Sequence, residues 1–238
     1  MITEENFSIF KQKYYKFITE HRAELTENFR KSYTKLQCNY KIVKELVTEL
    51  DRKLSIDFNI FSILDRGRYE VRTHTPFLAE LLNPKGLHGQ QNLFLSSFLI
   101  DLLNISKNNA NDPEWNVAKE SGYIDLRIVN YNLKKAVFIE NKIYTDAHSG
   151  QLSKYFKRWK EGYFKGNGAF IYLTPNGDEP ASAGFNEKIF QKNEIMKEMK
   201  LFSYNNDIFN WLNLIYDKIE SHRVQQTLKQ YIDLIKNL

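Results

Sequence analysis

An α/β core with helices at both ends is the fold class this sequence predicts, on three observations. The segments "EWNVAKE" (114–120), "YIDLRIVN" (123–130) and "KAVFIENKI" (135–143) alternate with a period of two, as consecutive strands do. A basic amphipathic stretch at about 150–164 follows, then a fourth apolar run, "GAFIYLT" (168–174), closed by the turn "PNGDEP". Residues 3 to about 55 contain neither Pro nor Gly and space their apolar residues as helices do.

Taken in order, residues 1–56 form a helical N-terminal arm. Phe7, Phe10, Tyr14 and Phe17 suit one face of a first helix, and Leu46, Leu50 and Leu54 suit a second. Such a Phe and Tyr stripe is more often core than interface, and a core face is the expectation here. The main domain spans 57–238. It opens on "FNIFSILDRGRYE", an apolar segment with a turn at Gly67. A helix from about Tyr69 buries Phe77, Leu78, Leu81 and Leu82 before Asn83-Pro84-Lys85-Gly86 stops it. The run "QNLFLSSFLIDLLN" (91–104) is the most apolar helix, and "SKNNANDP" is a loop. After the fourth strand the chain is helical apart from a short strand at 200–204, with "DIFNWLNLIYDKI" the clearest helix.

At 42% hydrophobic and 26% charged residues the composition is that of a soluble globular protein. No apolar run approaches the roughly 18 residues that cross a bilayer, so no membrane partner is expected. The opening "MITEENFSIFKQKYYKFITEH" is too charged for a secretory signal. Cys38 is alone, which excludes an internal disulfide and a cysteine-clustered zinc site; a cytoplasmic location is expected. The net charge of +5 favours polyanionic partners, though weakly. Its distribution says more: Lys154, Lys157, Arg158, Lys160 and Lys165 crowd one stretch against a single acid, Glu161. No Gly-x-x-x-x-Gly-Lys loop is present, which disfavours nucleotide-dependent phosphotransfer.

The third strand raises a chemical question. Glu140 and Lys142 share one face of it with Ala136 and Phe138, while Val137, Ile139, Asn141 and Ile143 take the other. On the strand before, Ile124, Leu126 and Ile128 form the apolar face, with Asp125 and Arg127 opposite. A hairpin closed with Asn130 opposite Lys135 puts Asp125 opposite Glu140, with Cβ atoms about 4.5–5.5 Å apart. Two carboxylates so placed repel unless a divalent cation lies between them. A hard ion such as Mg²⁺ takes oxygen ligands, usually one or two of them carboxylates, and keeps several waters. The ordinary reading, solvated charges on an edge strand, fits poorly with Val-Phe-Ile immediately before Glu140.

Asp125 followed by Glu140-Asn141-Lys142 resembles the core motif of the PD-(D/E)XK nuclease superfamily, with Ile124-Asp125 where Pro-Asp gives the group its name. "SGYID" has the small residue and Gly that often precede the motif aspartate. "GQLSKY" (150–155) resembles the Q-x-x-x-Y signature of one subset, and the block around 57–89 resembles the N-terminal helices of a bacterial branch. The resemblance covers roughly 57–215. It implies a restriction-endonuclease-like core, a central mixed sheet of four to five strands flanked by helices. It also implies hydrolysis of DNA, RNA being the other polyanion, with Mg²⁺ or Mn²⁺ held by Asp125, Glu140, the Asn141 backbone carbonyl and an acid of the first core helix. Glu70 is the match for that acid, with Glu80 its competitor. Lys142 then positions the attacking water, and Gln151 and Tyr155 fix the scissile phosphate. Lys154, Lys157 and Arg158 line the path of the phosphates, against the ordinary reading of a solvated helix face. A homodimer is expected if two strands are to be cut by a one-site enzyme. The same scaffold without activity, binding nucleic acid or a partner, is the alternative. His74 and His88 lie too far apart in sequence for a zinc pair; His88 in "GLHG" is the one expected nearer substrate. Gly67, Gly86 and Gly89 read as turn glycines.

Overall fold

The computed structural model describes residues 4–54, 58–64, 69–121 and 124–238, without the side chains of 4, 5, 50–54, 70, 71, 120 and 121. The chain divides into two compact units, Met1–Phe58 and Asn59–Leu238.

Among its described residues the first unit holds one uninterrupted helix, α1 (Glu4–Leu54), where the sequence suggested two. With no Pro or Gly to break the hydrogen-bond ladder, nothing interrupts it between Glu4 and Leu54. Its apolar stripe is exposed rather than core: Phe29 is 72% accessible, Tyr40 68% and Leu36 65%.

The second unit is built on a five-stranded sheet in the order β1 (Trp115–Ser121), β2 (Ile124–Asn130), β3 (Lys135–Asn141), β4 (Gly168–Thr174), β5 (Met199–Ser203). β1, β2 and β3 form an antiparallel meander, and β3, β4 and β5 are parallel, so the sheet is mixed, as in a restriction-endonuclease-like core. The parallel step from β3 to β4 crosses through α6 (Gln151–Glu161), and the step from β4 to β5 through α7 (Lys192–Glu198). Asn130 pairs with Lys135, the register read from the turn residues, and Asn130 Oδ1 accepts the Leu133 N–H at 2.9 Å inside that turn.

Each face of the sheet carries its own core. Leu126, Ile128, Val137, Ile139 and Ile171 pack on one side against α3 (Thr75–Leu82), α4 (Leu93–Ser97), α8 (Phe209–Tyr216) and α9 (His222–Ile235). Ala136, Phe138, Phe170 and Tyr172 pack on the other against Leu152, Phe156 and Trp159 of α6. Both faces are covered, so β3 and β4 read as near-continuous apolar runs. The wide π-helical turn Glu70–His74 leads into α3, and Phe98–Leu102 continues α4 in the same π form. A short helix, α2 (Ile60–Ile63), stands near the start of this unit, and "SKNNANDP", expected as a loop, contains one short helical turn, α5 (Lys107–Ala110). Gly67 and Gly122, named for the turn and the motif, lie outside the described residues.

One alternation fails. Ile124 joins the cluster on the α6 side, not that of Leu126 and Ile128. The β1–β2 ladder runs to Ser121↔Ile124, whereas the β2–β3 ladder stops at Leu126↔Ile139. The end of β2 therefore twists with β1 and parts from β3, at the pair Asp125 and Glu140.

Candidate active site

Where β2 and β3 part, the Asp125 carboxylate replaces the missing ladder bond: its Oδ2 accepts the Asn141 N–H at 2.8 Å. Asp125 is thus held against the backbone of β3 beside Glu140. Glu140 and Lys142 are buried, at 1% and 7% accessibility, and pair at 2.9 Å from Nζ to Oε1. Taking both charges out of water costs several kcal/mol per ion before their attraction is counted. A stable core has no need of such a pair.

Gln151, in the first turn of α6, reaches the same carboxylate. Its Nε2 donates to Glu140 Oε1 at 2.8 Å and to the Tyr155 hydroxyl oxygen at 3.0 Å, while its Oε1 accepts the His148 N–H at 3.0 Å. The amide is fixed at both ends, and Tyr155 keeps its own O–H proton to donate elsewhere. Burial raises the Tyr155 pKa, the Gln151 hydrogen bond lowers it, Glu140 and Asp125 raise it, and Lys142 lowers it. All three motif charges therefore act on one phenol, which marks their convergence. Gly150 makes this approach possible: it precedes α6 in a left-handed conformation (φ 65°), and a Cβ there would stand 3.0 Å from Asn186 Cβ.

The Asn141 side chain, expected on the face away from Glu140 and Lys142, does point away and is anchored. Its Nδ2 donates to Thr75 Oγ1 at 3.0 Å and its Oδ1 accepts the Tyr204 hydroxyl at 3.1 Å. Tyr204 hydrogen-bonds Tyr231 of α9, whose hydroxyl also lies 3.0 Å from His74 Nδ1. A buried polar chain thus runs on one face of the sheet, from α9 to the residue between Glu140 and Lys142. Thr75, Tyr204 and Tyr231 are the members that the sequence did not announce. His74 is part of this chain and fully buried.

Other expected residues fall elsewhere. His88 does not approach the site: its Nε2 lies 2.9 Å from Asn83 O and its Nδ1 accepts the Gln90 N–H, so it closes the turn after α3. Glu80 Oε1 accepts the Leu87 N–H in the same turn. The Glu70 backbone lies in the π turn, and its side chain is outside the described residues. Lys154, Lys157 and Arg158 are exposed on α6. By helical angle Lys154 and Arg158 share the face of Gln151 and Tyr155, whereas Lys157 lies round the helix and pairs with Glu161 at 3.8 Å.

Among the described residues no three His, Cys, Asp or Glu side chains gather as metal ligands. Two carboxylates beside a backbone turn nevertheless make a donor set that suits a hard, largely hydrated ion. Among the described residues, too, no helix is long and apolar enough to cross a membrane.

In a comparison with known families, the model of the PD-(D/E)XK nuclease superfamily matches residues 58–233. No curated protein and no solved structure matches the chain.

Proposed function

The chain belongs to the PD-(D/E)XK nuclease superfamily, and on that premise we propose that it hydrolyses phosphodiester bonds of DNA with a divalent ion, Mg²⁺ or Mn²⁺, at Asp125 and Glu140. The observation that carries this reading is the buried Glu140–Lys142 pair, tied through Gln151 to Tyr155. Asp125 and Glu140 hold the ion. The Asn141 carbonyl adds a ligand, because a residue's C=O leaves a strand on the same side as its N–H, here toward Asp125. Glu70 is the further acid. When bound, the ion lowers the pKa of a coordinated water and screens charge on the phosphate.

The chain's own groups do the rest. Lys142, held by Glu140, orients the attacking water and opposes the charge that builds on the phosphate oxygens. Tyr155 donates its hydroxyl proton to the scissile phosphate, and Gln151 keeps it in place. Lys154 and Arg158 supply salt-dependent attraction for the flanking phosphates; Lys157, turned toward Glu161, contributes least.

Supercoiled plasmid incubated with Mg²⁺ or Mn²⁺ should be cleaved, and EDTA should abolish the reaction. Lys142→Ala should lower the rate by about 10²–10³-fold, the scale of losing one preorganised charge-stabilising donor. Cleavage by a clean Glu140→Ala preparation would refute the assignment. DNA binding with no cleavage under any metal condition would instead favour the inactive scaffold.

A further inference from the structure

Among the described residues, the stripe along α1 faces no other helix or strand of its own unit. Tyr15, Phe29, Leu36 and Val43 fall on one seven-residue repeat, and Ile18 and Leu25 on the row three residues later. Rows spaced by three and four residues form the seam of a left-handed coiled coil. We propose that α1 pairs with α1 of a second copy of this chain along this seam, making the protein a homodimer with two nuclease-like units.

Three considerations select a second copy as the occupant. The first is length. At about 1.5 Å per residue a helix of 51 residues is roughly 77 Å long, while a compact body of 180 residues is roughly 40 Å across. A helix of equal length is what matches the whole seam. The second is area. Leu46 on the second row and the flanking Tyr33, Tyr40, Ile42 and Val47 bring the seam to eleven exposed large side chains. At roughly 100 Å² each the stripe offers on the order of 1,000 Å², above the roughly 800 Å² per partner of a stable interface. The third is charge. Of the positions flanking the seam between Tyr15 and Val47, Lys35 alone carries a formal charge at neutral pH, so two copies meet with little repulsion. Arg22 is the one charge on the seam itself, and its stem can lie along apolar surface with the guanidinium in water. Ser32 and Asn39 interrupt the second row, and such polar positions fix register at some cost in stability.

The inference is independent of the nuclease reading, since it concerns α1 alone. Its test is sedimentation equilibrium of the full chain, beside Leu36→Glu/Val43→Glu. The wild type should sediment at twice the 28.3 kDa chain mass at micromolar concentration, and the double variant should self-associate about 100-fold more weakly or worse. A monomeric wild type overturns the proposal, and so does a dimer that the substitutions leave intact. Hydrogen exchange on the wild type covers the case of a variant that does not fold. Protection across 15–47 should fall on dilution; protection that ignores concentration overturns the pairing.

Discussion

Lys142 and Glu140 show why stability and activity must be measured together at this site. Removing one partner leaves a buried charge uncompensated, at about 3–5 kcal/mol. Lys142→Ala should therefore lower the urea midpoint as well as the rate. Replacing both by neutral groups of similar shape, Glu140→Gln with Lys142→Met, should recover most of the stability and none of the cleavage. Stability left as low as in Lys142→Ala would mean that the pair is structural. Tyr155→Phe removes the hydrogen bond to the charged phosphate together with the one accepted from Gln151, and should slow cleavage about 10–100-fold. Because burial and both carboxylates raise the Tyr155 pKa, the phenol keeps its proton through the neutral range. Its share of the rate should fade only above the ordinary tyrosine range, as the difference between wild-type and Tyr155→Phe pH profiles will read out. At this scale the burial of Glu140 and Lys142 near Asp125 was legible, since charges inside an apolar strand need a reason. The Asn141 anchors were not. Thr75 and Tyr204 lie 66 and 63 positions away along the chain, and no local pattern links them.

The elements that hold the site make their own predictions. Tyr204 and Tyr231 are fully buried, and desolvation pushes both pKa values well above 10. Above pH 10 the unfolded chain releases these protons while the folded one keeps them, so stability falls as pH rises. Each tyrosine contributes a slope of about 1.4 kcal/mol per pH unit. Tyr231→Phe should flatten the alkaline limb of the stability profile by that one share; an unchanged limb would contradict the burial. Gly150→Ala forces a left-handed conformation on a residue with a Cβ, at about 1–2 kcal/mol. It should weaken cleavage by moving Gln151, with Tm read alongside. The strand register was legible because a short turn fixes it. The parting of β2 from β3 was not: it arises where one ladder outruns another, which depends on three strands at once.

For the whole molecule, both hydrophobic clusters and every described site residue lie within Asn59–Leu238. A fragment of those residues should fold and unfold cooperatively, with a calorimetric enthalpy for about 180 residues. A molten or aggregating fragment would show that α1 is needed for folding. The α/β core with flanking helices was legible from alternating segments and the helix between the third and fourth, and the mixed sheet from the family resemblance. The arm was misread as two helices with a core face. Apolar spacing tells which face of a helix seeks cover but not whether its own chain supplies it.

Crystals soaked in Mn²⁺ and measured at an anomalous wavelength test the central claim most directly. The account predicts a peak between the carboxylates of Asp125 and Glu140, about 2.0–2.2 Å from their oxygens, that disappears in Glu140→Ala. A peak elsewhere, or none in crystals of a preparation that cleaves DNA, would contradict it.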